Sequence, residues 1–99
     1  MKIEINAVKF KADEKLEEFI IDKASKLGKL FDQVVKCEVT LKVDKPESEN
    51  NKIAEIRMHV PGNDLFVSKR ADTFEEATDL AIDAIKKQLG KYKEKLKSK

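Results

Sequence analysis

The stretch VKCEVTLKVD, residues 35–44, decides the fold class of this chain. Apolar and polar residues alternate along it, which is the period-two pattern of a strand with one buried face. The same alternation returns over residues 54–60, and a further strand pattern covers residues 65–70. Polar turns that begin at Pro46 and Pro61 separate the three runs. Two successive hairpins predict an antiparallel meander.

These strands are apolar on one face only, so one side of the sheet is expected to face water. The apolar row of the quoted strand contains Val35, Cys37, Val39, Leu41 and Val43. The polar rows carry charges and contain no ring except the imidazole of His59, which argues against a sheet surface that stacks RNA bases on aromatic side chains. The predicted outward residues are Lys36, Glu38, Thr40, Lys42, Glu55, Arg57 and His59.

Two helices and a first strand complete the secondary structure. Alternation predicts a strand over residues 2–10, and Asp13 is expected to cap a helix over residues 14–30. Thr73 with Glu76 fits a capping box for a second helix over residues 74–95. The apolar residues of both helices recur at spacings of three and four, so each helix has one buried stripe.

The order β-α-β-β-β-α predicts an α+β two-layer sandwich. We expect a four-stranded sheet with two helices packed on one face. The length of 99 residues suits one domain over residues 1–99.

Several classes of protein do not fit the composition. The longest aliphatic and aromatic run, residues 19–21, is far shorter than the ~20 residues of a membrane span. The charged strand at the N-terminus is unlike a signal peptide. A single cysteine forms no internal disulfide. We therefore expect a cytoplasmic protein without a membrane partner.

The sequence offers little for catalysis. His59 falls on the solvent side of its strand, and Cys37 falls in the apolar row, where a buried thiol is inert. Acids at the start of the last helix are explained by the helix dipole rather than by a metal. No glycine-rich phosphate loop is present. We expect no enzyme, metal site, cofactor or small-molecule substrate.

Positive charge is concentrated in the C-terminal halves of the two predicted helices. Residues 71–85 contain five acids and no base, whereas residues 86–99 contain seven lysines and one acid. If the helices pack side by side, their lysines form one surface suited to a phosphate backbone. Solubility and helix dipoles explain lysines at these positions equally well. The candidate RNA-binding residues are Lys23, Lys26, Lys29, Lys86, Lys87, Lys91, Lys93 and Lys95.

Five short runs resemble the hibernation promoting factor family of bacterial ribosome-associated translation inhibitors. The resemblance covers nearly the whole chain in one order of elements. The runs are KLGKLFD at residues 26–32, VTLKV at 39–43, MHV at 58–60 before Gly62, Ile82-Asp83 leading to Gln88-Leu89, and KYKEKLK at 91–97.

The resemblance implies a β-α-β-β-β-α fold and a specific partner. Family members bind the small ribosomal subunit in the channel of mRNA and of A- and P-site tRNA, where basic helix residues contact rRNA. Translation is then inhibited in stationary phase, and neither DNA nor a small molecule is bound. The matching residues here are Lys23, Lys26, Lys87, Lys91, Lys93 and Lys95.

Departures from the family and the chain end add two expectations. Ala84 replaces a frequent lysine, and Lys87 replaces a frequent arginine, which loses a bidentate phosphate contact. The end at Lys99 suggests a short form whose effect on ribosome dimers depends on a separate partner. A generic double-stranded RNA-binding domain and a protein-interaction module with solubilising lysines remain the alternatives.

Overall fold

The computed structural model describes residues 1–45, 47 and 49–97. Residue 97 is described by its backbone only. It confirms the predicted order of elements and the α+β class. The elements are β1 (Lys2–Ala7), α1 (Glu14–Leu30), β2 (Lys36–Val43), β3 (Lys52–Val60), β4 (Asn63–Ala71) and α2 (Phe74–Lys97).

The four strands form one sheet in the order β1-β2-β3-β4. β2, β3 and β4 pair antiparallel, which confirms the meander, and Ile56 of β3 lies between Val39 of β2 and Val67 of β4. β1 pairs parallel with β2. A parallel pair needs a crossover connection, and α1 supplies it. β1 and β4 are therefore the two edges of the sheet.

Both helices pack on the same face of the sheet and bury most of their predicted stripes. The prediction is wrong at Leu96, the last residue of the α2 stripe, which lies beside the Pro61–Gly62 turn and is 45% exposed. α1 contacts β1, α2 contacts β3 and β4, and the helices contact each other. The core consists of the inward rows of the strands and of these stripes, as the pattern of apolar residues predicted. Its largest fully buried side chains include Ile20, Leu27, Leu41, Ile56, Met58, Ile85 and Leu89.

Side chains cap both helices as the sequence predicted. The Asp13 carboxylate accepts a hydrogen bond from the Leu16 amide at 2.8 Å. The Thr73 hydroxyl accepts one from the Glu76 amide at 3.1 Å. These bonds satisfy amides that the first helical turn leaves without partners.

Element boundaries differ from the predictions at two turns. β1 ends at Ala7 because the chain turns through Lys9, whose φ is 64°. β4 begins at Asn63 because Pro61 and Gly62 alone make the second turn, with Gly62 at φ 76°. The first predicted turn, from Pro46, includes residues 46 and 48, which lie outside the described residues.

The predicted apolar row of β2 is wrong at its two ends. Val35 precedes the strand and is 65% exposed, while Val34 is buried in its place. Val43 closes the strand and is 40% exposed. The helices cover the centre of the strand, so the period-two pattern holds only from Cys37 to Leu41.

Thr78 of α2 is the one described residue with a fully buried side-chain polar atom that lacks a hydrogen-bond partner. An unsatisfied buried hydroxyl costs about 1–3 kcal/mol. Replacing it with the isosteric valine, Thr78→Val, should raise the free energy of unfolding by about 1 kcal/mol in urea titrations.

The same change at Thr73 is the matched control. Its hydroxyl caps α2, so Thr73→Val should lower the free energy of unfolding by about 1 kcal/mol. Equal effects of the two substitutions would contradict the assignment of an unsatisfied hydroxyl at Thr78.

Candidate nucleic-acid interface

The two helices run in the same direction across the sheet. α1 links two parallel strands, so it runs opposite to both of them. β4 runs in the same direction as β2, because β3 pairs antiparallel with both of them. α2 follows β4, packs on β3 and β4, and runs opposite to β4. The C-terminal halves of α1 and α2 therefore lie at the same end of the molecule.

This arrangement separates charge along the helix layer. The first half of each helix is rich in acids and the second half is rich in lysines. Each sign complements the helix dipole at its own end. Because the helices are parallel, their lysine-rich halves lie side by side, and the positive charges of both add up at one end of the helix layer. We call this part of the surface the basic end; it contains Lys23, Lys26 and Lys29 of α1 and Lys86, Lys87, Lys91, Lys93 and Lys95 of α2.

An ion pair, a hydrogen bond and an aromatic contact help to hold the two helices together. Lys23 Nζ lies 3.4 Å from an Asp79 carboxylate oxygen. Lys93 Nζ donates a hydrogen bond to the carbonyl of Leu30 at 2.7 Å, which satisfies a terminal carbonyl of α1. The rings of Phe31 and Tyr92 meet edge to face, with centroids 5.6 Å apart. The side-by-side packing on which a joint basic surface depends is thus present.

The α2 lysines point in two directions. Asp79 and Lys93 contact α1, and Lys86 lies seven residues from each of them. Seven residues make almost two helical turns, so Lys86 lies on the same face of α2, toward α1. Lys91 and Lys95 lie on the opposite flank, where they line a shallow cleft beside the start of β4.

The α1 lysines do not form a single row. A step of three residues turns a helix by about 300°, so each lysine is rotated by about 60° from the one before it. Lys23 faces α2, whereas Lys29 lies beside Gly28 and Met1 on the side of β1. The basic end is consequently a broad surface rather than a narrow ridge.

The lysines also differ in their partners. Lys23 and Lys26 pair with acids, Lys26 with Asp22 at 3.7 Å, and the Lys93 ammonium is bound to the α1 carbonyl. Within residues 1–45, 47 and 49–97, four exposed lysines of the basic end have no carboxylate within 4.0 Å. They are Lys29, Lys86, Lys87 and Lys91.

The outer face of the sheet neutralises its own charge. Lys36 Nζ lies 2.8 Å from Glu4 and 3.3 Å from Glu38. His59 contacts Glu38 at 2.8 Å through Nε2 and Asp64 at 3.1 Å through Nδ1. The Lys42–Glu55 and Arg70–Asp44 pairs continue the pattern at 3.0 and 3.1 Å. Cations on this face are engaged within the chain, in contrast to Lys29, Lys86, Lys87 and Lys91 of the basic end.

The hydrogen bond from Lys36 holds the pKa of Glu4 below its ordinary value of 4.5. The hydrogen bond with His59, and then the one from Lys36, lowers the pKa of Glu38. The bonds to Glu4 and Glu38 raise the pKa of Lys36.

These shifts predict an acid dependence of stability. Because the pKa values of Glu4 and Glu38 are lowered in the folded state, their stabilisation is fully present above about pH 4.5. It is lost as the pH falls through the lower folded values. Urea unfolding at a series of pH values should show a stability decline below pH 4.5 that is weaker in Lys36→Gln, which removes the shared cation. The Lys29→Gln control should match the wild type, and an unchanged acid response in Lys36→Gln would contradict the prediction.

The sequence analysis did not predict the positions of two residues of β4. The expectation that the outer sheet face carries no ring except His59 is wrong, because Phe66 points outward and is 42% exposed. Lys69 alternates with the buried Val67 and Ala71, so it extends on the helix side of the edge strand, where it is exposed. Both positions could have been predicted from the alternation of side chains along residues 65–70, which places Phe66 on the outer face and Lys69 on the helix side.

The environment of Cys37 matches the prediction of a buried thiol. Cys37 is fully buried, and burial raises the pKa of its thiol to about 11. The described residues contain no group of three His, Cys, Asp or Glu side chains arranged to hold a metal ion. Neither helix has, in its described residues, an apolar stretch long enough to cross a membrane.

Comparison with known proteins adds independent findings. The family model described as Sigma 54 modulation protein / S30EA ribosomal protein matches residues 3–97. The chain is 34% identical over 82 residues to the ribosome hibernation promoting factor of Klebsiella oxytoca, covering 83% of this chain and 82% of that protein. It is 32% identical over 97 residues to the Escherichia coli K12 ribosome hibernation promoting factor, covering 98% of each.

A solved structure supports the fold. The chain is similar to a ribosomal subunit interface protein from Coxiella burnetii with a TM-score of 0.84 and 20% identity. The match covers 94% of this chain and 98% of that one.

Proposed function

The chain belongs to the Sigma 54 modulation protein / S30EA ribosomal protein family, and from that premise we propose that it binds the small ribosomal subunit in the mRNA and tRNA channel. Curated relatives are named ribosome hibernation promoting factors. The predicted family and the prediction of a ribosome-associated, non-enzymatic factor are thereby confirmed. The binding site on the ribosome, the rRNA contacts and the inhibition of translation in stationary phase are the proposal.

The basic end is the observation that carries this proposal. Parallel helices collect eight lysines at one end of the helix layer, and Lys29, Lys86, Lys87 and Lys91 among them have no carboxylate within 4.0 Å in the described residues, while the cations of the outer sheet face are paired with carboxylates. Exposed ammonium groups without acid partners bind phosphate and release its counterions. We therefore assign the phosphate contacts with rRNA to the helices rather than to the sheet.

The proposed mechanism is steric. One domain over residues 1–99 occupies the A- and P-site channel in the cytoplasm, so mRNA and tRNA cannot enter. No bond is made or broken. Lysine ammonium groups carry no base-specific hydrogen-bond code, so recognition depends on phosphate position and RNA shape.

Co-sedimentation with separated ribosomal subunits tests the proposal. The purified chain is mixed with small or large subunits at two salt concentrations, with tRNA as competitor. We expect saturable binding to the small subunit that salt weakens steeply and that tRNA reduces. Equal affinity for any RNA duplex would instead identify a generic double-stranded RNA-binding domain, and no binding at low salt would contradict both readings.

A further inference from the structure

We propose that Phe66 and Arg57 form a stacking site for an unpaired RNA base at the β4 edge of the sheet. The proposal rests on the function proposed above and adds a contact outside the helices. It differs from the phosphate contacts of the basic end because it recognises the flat face of a base. It lies on the outer face of the sheet, which otherwise carries paired charges.

The geometry of the pair supports base stacking. Phe66 and Arg57 are direct cross-strand neighbours in the β3–β4 register. The Arg57 guanidinium carbon lies 4.9 Å from the centroid of the Phe66 ring. Nearly half of each side chain is exposed. Aromatic rings and guanidinium planes are the two protein surfaces on which unpaired bases stack.

Neighbouring residues hold the pair in place. Asp64 contacts Arg57 at 3.6 Å and His59 at 3.1 Å, so the guanidinium is tied to the β3–β4 hairpin. Gln88 of α2 donates a hydrogen bond to the backbone carbonyl of Phe66 at 3.0 Å. The ring therefore projects from a strand that is fixed to the basic helix, and little conformational entropy is lost when a base stacks on it.

The location of the pair connects it to the basic end. β4 is an edge strand, and Lys91 and Lys95 line a cleft with its residues Asn63 and Leu65, directly before Phe66. A strand of RNA whose phosphates contact these lysines can pass round the β4 edge and place a base on Phe66. A single exposed apolar side chain is ordinary; the guanidinium plane and the adjacent lysines are what indicate a nucleobase.

Substitutions separate stacking from a structural role of the pair. Phe66→Leu keeps the apolar contact and loses the ring, Arg57→Lys keeps the charge and loses the plane, and Phe66→Tyr keeps the ring. We expect Phe66→Leu and Arg57→Lys each to weaken binding to small ribosomal subunits about tenfold. The affinity of Phe66→Tyr should stay within about twofold of the wild type. Thermal unfolding of each variant verifies that the fold is retained.

The salt dependence distinguishes a lost base contact from a lost phosphate contact. Phe66→Leu should leave the slope of log affinity against log salt unchanged, whereas Lys91→Ala should reduce it by about one unit. Binding of Phe66→Leu within twofold of the wild type would overturn the stacking site and leave the proposed function standing. Absent binding of the wild type would overturn the proposed function instead.

A fluorescence experiment tests the stacking site without the ribosome. The chain contains no tryptophan, so Phe66→Trp introduces a unique reporter. Single-stranded oligouridylate should quench its emission, and a blunt RNA hairpin should not. Ser68→Trp is the matched control, because residue 68 is two residues further along β4 and lies on the same face. Its tryptophan emission should be quenched much less. No quenching of the Phe66→Trp emission would overturn the stacking site whatever the ribosome experiment shows.

Discussion

Reversing three lysines of the basic end, Lys87→Glu, Lys91→Glu and Lys95→Glu together, is expected to weaken binding to the small ribosomal subunit by at least about 100-fold. Each substitution removes a proposed phosphate contact and places a carboxylate where phosphate oxygens are expected to approach. All three side chains are exposed on α2 and lie outside the core. Circular dichroism and thermal unfolding should therefore stay close to those of the wild type.

A matched reversal controls for overall charge. The variant with Lys9→Glu, Lys11→Glu and Lys15→Glu changes the net charge by the same six units, from +2 to −4, at the opposite end of the helix layer. It should bind small subunits within about tenfold of the wild type, because most of its charge change lies further than a Debye length, about 8–10 Å, from the basic end. Equal losses in the two variants would show that net charge, rather than the basic end, controls binding.

Truncating the centre of the sheet should cause the largest loss of stability. Ile56 is fully buried on β3, between Val39 and Val67. Ile56→Ala removes buried methyl and methylene groups and leaves a cavity, which costs about 3–4 kcal/mol. Since a domain of this kind has a total stability of about 5–15 kcal/mol, chemical denaturation should register the change clearly.

The same strand supplies the control. Ile53 is only partly buried and points to the outer face, in register with Lys42 and Arg70. Ile53→Ala should cost less than about 1 kcal/mol, since surface substitutions have small effects. A loss at Ile53 as large as that at Ile56 would mean that the outer face contributes a second core.

Local patterns made most of the architecture predictable. Asp13 and Thr73 marked the helix starts because capping depends on residues three positions apart. Cys37, Val39 and Leu41 marked the inward face of β2 because side chains alternate along a strand. The pattern misassigned Val35, since the coverage of a strand's ends depends on where the helices stop.

The candidate interface was predictable in its residues but not in its shape. Spacing placed lysines on the helices, and the sequence already separated acids from lysines along each helix. The partners of Lys23 and Lys93 are 56 and 63 residues away in sequence, so no local pattern contains them. The exposed ring of Phe66 was not predicted, because outward faces were assigned only within residues 35–44 and 54–60 and not within residues 65–70.

The sequence alone thus determined the elements, their order, the core rows and the distribution of charge along each helix, because periodicity and capping act over a few neighbouring residues. Tertiary structure alone decided that β1 pairs parallel with β2 and that both helices run in one direction. It also decided that the sheet neutralises its own cations and that the exposed Phe66 ring projects from an edge strand bound to α2 through Gln88. Each of these features depends on residues that are distant in the chain and become neighbours only when the sheet forms.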